Sequence, residues 1–300
     1  MRKLFIINND IRYISPDMVW YKGIIEQNLN AIKIETAPKE VFLKYLIKDY
    51  KILDAGCGFG KWVIYLNQRG YDVIGIDNNN IAISKLKDYN RFLQVELGNI
   101  KKLNFPDNYF DVYISMGVVE HFEQGPYLAL KEAYRVLKPN GLIFISTPTV
   151  NIIRKVIIQP ILNIINRSYQ LFTKIKNFFE NSKLNQKTYR NEIKKNKKLK
   201  YYHFLEYRFS VKEMHTFLKK CNFKVIETLP HDFHGSKDHA IGLSVDFPFL
   251  RKRHSINFEL NRVGKFISLI LDSISPWIAT ASVLCVGRSL KEIKLLNQKG

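Results

Sequence analysis

The sequence predicts an α/β fold, a doubly wound and mostly parallel sheet of seven strands with a helical, basic insertion after the fifth strand. Three observations carry that prediction. Apolar runs of strand length alternate with amphipathic helical runs between residues 50 and 148. A turn with glycine at every second position, Gly56, Gly58 and Gly60, separates the first of these strands from the first helix that follows. Two more strand-like runs, at 223–229 and 282–288, come after a segment without strand signal.

Taken in order, residues 1–36 are mixed and aromatic-bearing, with Trp20 and Tyr21 but no clear period. "PKEVFLKYLIK" (38–48) opens on Pro38 and spaces Val41, Phe42, Tyr45 and Leu46 as a helix does. "KILDA" (51–55) reads as a buried strand, and "KWVIYLNQRG" (61–70) as a helix closed by Gly70. "YDVIGID" (71–77) and "RFLQVEL" (91–97) read as strands on either side of the helix "NIAISKLKDY" (80–89). "FDVYISM" (110–116) is a fourth strand. The helical run from Gly125 ends in a Pro-Asn-Gly turn, and "GLIFIST" (141–147) is a fifth strand. Five strands joined by helical crossovers imply a parallel sheet covered on both faces. After Pro148 the rhythm stops, and residues 151–209 carry no strand signal. It resumes with a helix at 210–222, opened by a capping-box pair, Ser210 and Glu213, and then the strand at 223–229. Leu260, Val263, Ile267, Ile270 and Ile274 form a helical face that ends at Pro276, ahead of the last strand. The predicted units are an N-terminal cap (1–49), a core (50–148), the insertion (149–209), and a completion of the sheet with a helical lid (210–300).

The chain has 300 residues and a net charge of +20, which favours anionic partners: nucleic acid, an acidic membrane surface or a phosphorylated substrate. Residues 151–209 hold 14 Lys or Arg against three Glu, a net +11, so over half of the excess sits in a fifth of the length. An apolar fraction of 46 % excludes wholesale disorder. The three cysteines, Cys57, Cys221 and Cys285, are too few and too widely spaced for a disulfide framework or a zinc site, so no metal is predicted and a reducing cytosol is expected. The first apolar run is four residues long, too short for a secretory signal. Residues 266–286 are apolar but broken by Asp272 and Pro276, and read as two buried elements. In 161–179, Ile161, Ile165, Tyr169, Phe172, Ile175 and Phe179 share one helical face, opposite Arg167, Gln170, Lys174 and Asn177. That pattern suits an anionic bilayer interface, with the lysine-rich stretch 181–200 over headgroups. Nucleic acid is the rival partner, and a lid helix packed on the domain is the plain alternative.

A strand that passes through glycines into a helix builds a nucleotide site at its carboxyl end, because backbone without Cβ atoms turns sharply and admits a ligand closely. The same architecture calls for an acid at the end of the second strand, to accept ribose hydroxyls, and Asp77 stands there. The Gly-Cys-Gly-Phe-Gly spacing is shorter than the dinucleotide pattern. "LDAGCGFG" resembles the first motif of the class I S-adenosylmethionine (SAM)-dependent methyltransferases of small-molecule type, a Rossmann-like family. The resemblance is close over residues 50–148 and looser beyond. It implies SAM as cofactor, with Asp54, Ala55, Gly56, Cys57, Gly58 and Gly60 around its methionine and ribose, and Asp77 with Asn78 at the ribose. "DVYISMGVVEHF" resembles the family's fourth-strand motif, which implies Met116 and Gly117 beside the methionine, and Glu120 and His121 at the mouth. "EAYRVLKPNGLIFISTP" is similar to the segment that follows in small-molecule members. One departure stands out. The family usually has an acid after the third strand to accept the adenine amino group; here "LGNI" supplies Asn99, followed by Ile100, and its amide oxygen can still accept that bond.

SAM would present an electrophilic methyl group, which the protein must align with an acceptor. A base adds roughly 10²–10⁴-fold. His121 is the first candidate base, because it follows the cofactor strand. "HFLEYRFS" supplies His203 and Tyr207 as further catalytic candidates and Arg208 as a clamp for a carboxylate or phosphate, on a segment expected to return toward the site. Trp20, Tyr21, Glu120 and His234 complete the predicted acceptor contacts; His234 lies in "HDFHGSKDH", whose spacing fits no metal template. Each has a plainer reading: a hydrogen-bonded structural histidine for His121, a surface ion pair for Arg208, a turn former for Asn99. The expected function is methylation of a small or lipid-linked acceptor, at oxygen, on the cytoplasmic membrane face. The alternatives are an RNA methyltransferase, although "SMGV" (115–118) stands where amino-directed nucleic-acid enzymes carry an Asn-Pro-Pro-Tyr-like tetrad, and a non-catalytic SAM-binding or membrane-associated module.

Overall fold

The computed structural model describes residues 2–8, 25–26, 29, 32, 37–158, 160–161, 164, 167–168, 171, 201–231, 240–253 and 259–292. Its strands are β1 (Arg2–Asn8), β2 (Lys51–Ala55), β3 (Asp72–Asp77), β4 (Gln94–Leu97), β5 (Phe110–Met116), β6 (Leu137–Pro148), β7 (Tyr201–Arg208), β8 (Phe223–His231) and β9 (Ser282–Ser289). Its helices are α1 (Ala37–Tyr45), α2 (Lys61–Asn67), α3 (Asn80–Tyr89), α4 (Tyr127–Val136), α5 (Val211–Lys220), α6 (Ala240–Asp246) and α7 (Arg262–Ile274).

Seven strands form one sheet in the order β4-β3-β2-β5-β6-β9-β8. The pairs among β2 to β6 are parallel, and β9 runs antiparallel between β6 and β8. The predicted α/β class holds. Alternation along the strands sorts two cores. Ile52, Val112, Ile114 and Phe144 face one side, where Phe42 of α1, Trp62 of α2 and Leu86 of α3 cover them. Leu53, Tyr113, Ile143 and Cys285 face the other, under Leu130 of α4 and Met214 of α5. Burying each such large side chain contributes about 1.5–3 kcal/mol. Aromatic edges meet faces on the first side, with Phe42 centred 5.0 Å from Trp62 and 5.3 Å from Phe144.

The capping box at α5 forms in both directions: Ser210 Oγ accepts from Glu213 N (3.3 Å), and Glu213 Oε2 accepts from Ser210 N (2.9 Å). Two boundaries differ from expectation. β4 starts at Gln94, because Asn90 Oδ1 accepts from Phe92 N and holds 90–93 as a turn. The Pro-Asn-Gly triplet is an irregularity inside a longer β6: Asn140 has φ +60°, and the register with β5 shifts between Phe110 and Val112.

A larger correction concerns residues 201–208, read above as part of a strand-free segment. They form β7, antiparallel to β1 in a separate two-stranded ribbon, with Arg2 opposite Arg208 and Asn8 opposite Tyr201. Aromatic side chains favour strands, but a two-stranded ribbon needs its partner, and that partner lies at the other end of the sequence. Of the expected amphipathic helix face, Ile161 is described and exposed. Ile165, Tyr169, Phe172, Ile175, Phe179 and the lysine run lie outside the described residues.

A third, smaller cluster joins Ile153, Leu243 of α6, Leu250, Leu260 and Ala279, with Ile267 and Leu271 of α7 packed on it. A buried ion pair, Arg154 Nε to Asp246 Oδ2 at 2.7 Å, ties the segment after β6 to α6. Both groups are desolvated, so removing either one leaves the other buried and uncompensated.

Candidate cofactor and acceptor site

The sheet order reverses between β2 and β5, so a crevice opens at their carboxyl ends. The turns after these two strands line it. Gly56 N and Cys57 N both donate to Ile76 O, at 2.7 and 3.0 Å, which binds the glycine turn to the end of β3. Gly56, Gly58 and Gly60 have φ of +87°, +51° and +71°, the left-handed region that L side chains avoid. The reason for the glycines is partly internal. A Cβ on Gly56 would lie 2.4 Å from Val118 Cγ2, and one on Gly60 2.4 Å from Leu86 Cδ2. At those two positions the protein's own side chains make the close approach that the sequence reading assigned to a ligand.

Asp77 organises the turn. Its Oδ2 accepts from Gly58 N and its Oδ1 from Asn79 N, both at 2.8 Å, and the residue is buried. Each carboxylate oxygen has a second lone-pair direction, so a pair of vicinal hydroxyls can be accepted as well. Asn78 beside it is exposed, and Asn79 caps α3 by accepting from Ala82 N. Asp54, at the end of β2, is buried, and its Oδ2 has no hydrogen-bond partner. Burial first, then the charge of Asp77, push its carboxyl up to about 8, against a backbone bond from Val63 that favours ionisation. Ala55 is buried beneath, and burial together with the two aspartates pushes the Cys57 thiol well up.

On the β5 side, Gly117 turns with φ +76° and donates to Ser146 O at 2.9 Å, with Met116 half-buried before it. Val119–His121 form a single helical turn. Glu120 is buried, its Oε2 has no hydrogen-bond partner, and burial aided by the charge of Glu206 holds its carboxyl well above the usual range. His121 Nε2 stands 4.0 Å from Glu120 Oε1, with its side chain 49 % exposed. Solvent and any acceptor can therefore reach it.

The segment 201–208 does return to this mouth. Tyr207 is buried, and its hydroxyl donates to Glu123 O at 2.7 Å, which ties β7 to the turn after Glu120. That bond fixes the ring of Tyr207 beside the turn that carries Glu120 and His121. Arg208 Nε lies 3.5 Å from Glu206 Oε1, a long contact within one strand. His203 sits in β7 opposite Ile6. Trp20, Tyr21 and His234 lie outside the described residues. Asn99 is exposed, and its Oδ1 accepts from Lys101 N at 2.9 Å, which is turn-former geometry; Ile100 is buried behind it.

Two features had only faint sequence signals. Lys61, the first residue of α2, has its ammonium pushed down to about 7 by burial. Ser115, Ser146 and Thr147, at the ends of β5 and β6, carry buried hydroxyls without hydrogen-bond partners. Small hydroxyl residues in strands look like fillers until the topology shows which sheet edge they occupy.

The crevice therefore collects carboxyl groups, Asp54, Asp77 and Glu120, in a chain of net charge +20. Residues 53–145 match the family described as methyltransferase domain. That stretch is a class I SAM-dependent methyltransferase domain. Its donor, SAM, carries a sulfonium and an ammonium, which the carboxyl-lined crevice suits. The unpaired Asp54 Oδ2 and the glycine turn clamped by Asp77 fit it by residue type. The domain is similar to the ubiquinone biosynthesis O-methyltransferase of Bradyrhizobium diazoefficiens, 36% identical over 102 residues, 32% of this chain and 39% of that one. It is also similar to phosphoethanolamine N-methyltransferase 3 of Arabidopsis thaliana, 27% identical over 144 residues, 46% of this chain and 29% of that one. The chain thus spans well under two thirds of these curated relatives. A SAM-dependent methyltransferase from Archaeoglobus fulgidus shares the fold with a TM-score of 0.52 and 14% identity, over 92% of this chain and 100% of that one.

Proposed function

We propose that the protein transfers a methyl group from SAM to an oxygen of a small or lipid-linked acceptor at the cytoplasmic face of a membrane. The observation that carries the methyl-transfer reading is the Asp77 clamp on Gly58 N, set beside a buried carboxyl with an unsatisfied oxygen on Asp54. When bound, SAM supplies an electrophilic methyl group. Asp77 holds the glycine turn in its ligand-ready shape and accepts ribose hydroxyls. Asp54 meets the positive end of the donor. Met116 and Gly117 bound the methionine side, and Asn99 with Ile100 border the adenine. His121, exposed at the mouth, takes the proton from the acceptor hydroxyl. Glu120, buried next to it, borders the acceptor.

An oxygen acceptor is supported by the ubiquinone biosynthesis O-methyltransferases of two organisms among the similar proteins. A reducing, cytoplasmic location is supported by three free, buried cysteines. The experiment is calorimetry with SAM on the full chain and on Asp77→Ala, followed by transfer of labelled methyl from SAM into a lipid extract, a quinol pool or RNA. Binding that is lost in the variant, with label in the lipid or quinol fraction, is expected. Binding that is indifferent to Asp77 would remove the cofactor reading, and label confined to RNA would replace the acceptor reading.

A further inference from the structure

Five of the large apolar side chains of α7, Val263, Phe266, Leu269, Ile270 and Ile274, are exposed. The helix packs inward with its small face: Gly264 and Ser268 are buried, and a Cβ on Gly264 would come 2.7 Å from Leu250 O. Ile267 and Leu271 flank that contact. Outside, Val263, Phe266, Ile270 and Ile274 follow an i, i+3, i+7, i+11 spacing, one continuous stripe on a helix. Phe266 is 65% and Ile274 69% exposed, and Leu269 borders the stripe. Helical spacing alone groups Val263, Ile270 and Ile274 with Ile267; the structure turns those three outward, because the close backbone approach selects glycine and serine for the contact. Phe249, 75% exposed, stands at the helix start, where Asn261 Nδ2 donates to Phe249 O. An apolar stripe of this length left on the outer side of a helix marks a contact surface.

We infer that the outer stripe of α7, with Phe249, docks in the plane of an anionic bilayer. The choice of a bilayer rests on the membrane part of the function proposed above, and charge supports it. Residues 251–274 hold five Lys or Arg (Arg251, Lys252, Arg253, Arg262, Lys265) against two acids (Glu259, Asp272), a net +3. Asp272 accepts from Ser268 Oγ within the helix, and Glu259 pairs with Lys252. Arg262 and Lys265 border the stripe at its first turns, the arrangement of an interfacial helix whose basic residues meet headgroups. With 13 residues the helix is too short to cross a bilayer, so it lies in the interface. Its place fits an acceptor held in lipid. Pro148 at the end of β6 and His231 at the end of β8 both pair with Ser282 at the start of β9. The excursion that contains α6 and α7 therefore leaves and rejoins the sheet at the carboxyl edge, the edge of the glycine turn.

The test is co-sedimentation of the full chain with phosphatidylcholine vesicles, with and without phosphatidylglycerol. It compares the wild type with the triple variant Phe266→Ser, Ile270→Ser, Ile274→Ser and with Arg262→Ala, Lys265→Ala. The apolar triple should lose at least about tenfold in vesicle partition, while its melting temperature and SAM affinity stay at wild-type values. The basic pair should lose binding only where phosphatidylglycerol is present. Equal pelleting of the wild type and the triple overturns the inference, as does a wild type that ignores anionic vesicles. So does a wild type that is dimeric by analytical ultracentrifugation, becomes monomeric in the triple, and never binds vesicles, since a second copy then covers the stripe. Vesicle binding that persists without SAM binding would remove the methyl-transfer reading and leave this one standing.

Discussion

Asp54→Asn should stabilise the unliganded protein while weakening its hold on the donor. The Asp54 carboxyl is buried, one of its oxygens lacks a partner, and its pKa is raised from 3.8 to about 8. A carboxyl raised in this way binds its proton more tightly folded than unfolded, so its contribution is best at low pH and is lost as pH rises. The loss begins near the unfolded value, runs at about 1.4 kcal/mol per pH unit, and levels off above the folded value. At pH 7 that amounts to about 4 kcal/mol. Asparagine can still accept the backbone bond from Val63 and carries no charge. Urea denaturation of both proteins across pH 5 to pH 8, without SAM, reads the difference directly. The variant should gain on the wild type by about 1.4 kcal/mol with each unit. A stability difference that stays constant over that range would refute the argument that Asp54 is a strained, buried acid awaiting a cation. Saturating SAM should shrink the difference, because a bound positive charge favours the ionised carboxylate.

Replacing Asp77 by alanine removes two charge-assisted bonds to backbone N–H groups and should weaken SAM binding by at least about tenfold, read by calorimetry. Gly56→Ala imposes a left-handed φ of +87° on alanine and a collision with Val118; it should cost about 2–3 kcal/mol by thermal melting, partly restored by adding Val118→Ala. His121→Ala should lower kcat by roughly 10²–10⁴-fold with the SAM dissociation constant unchanged, measured in steady-state and calorimetric assays.

Much of the core was legible because its signals are local. The bounds of β2, β5 and α3 coincide with the runs read from sequence, since apolar runs, a glycine turn and an asparagine cap act within a few residues of themselves. The clamp on the glycine turn was half legible: Asp77 was placed at the strand end, but its bond to Gly58 N depends on how β3 lies beside β2. Glu120 and Asp54 were named from their motifs, whereas their burial comes from the layers packed over them. The β1–β7 ribbon was illegible, because a strand whose partner lies at the far end of the chain has no local pattern to announce it.

By itself the sequence determined the α/β class, the turn that carries three glycines, and the acid at the end of the next strand, because hydrophobic period and backbone permission are properties of short segments. Tertiary structure alone decided which face of α7 is bare, which carboxyls are buried, and that Tyr207 ties β7 to the mouth of the crevice. Those outcomes depend on which surfaces exclude water, and that is a property of packed neighbours, not of any stretch of chain.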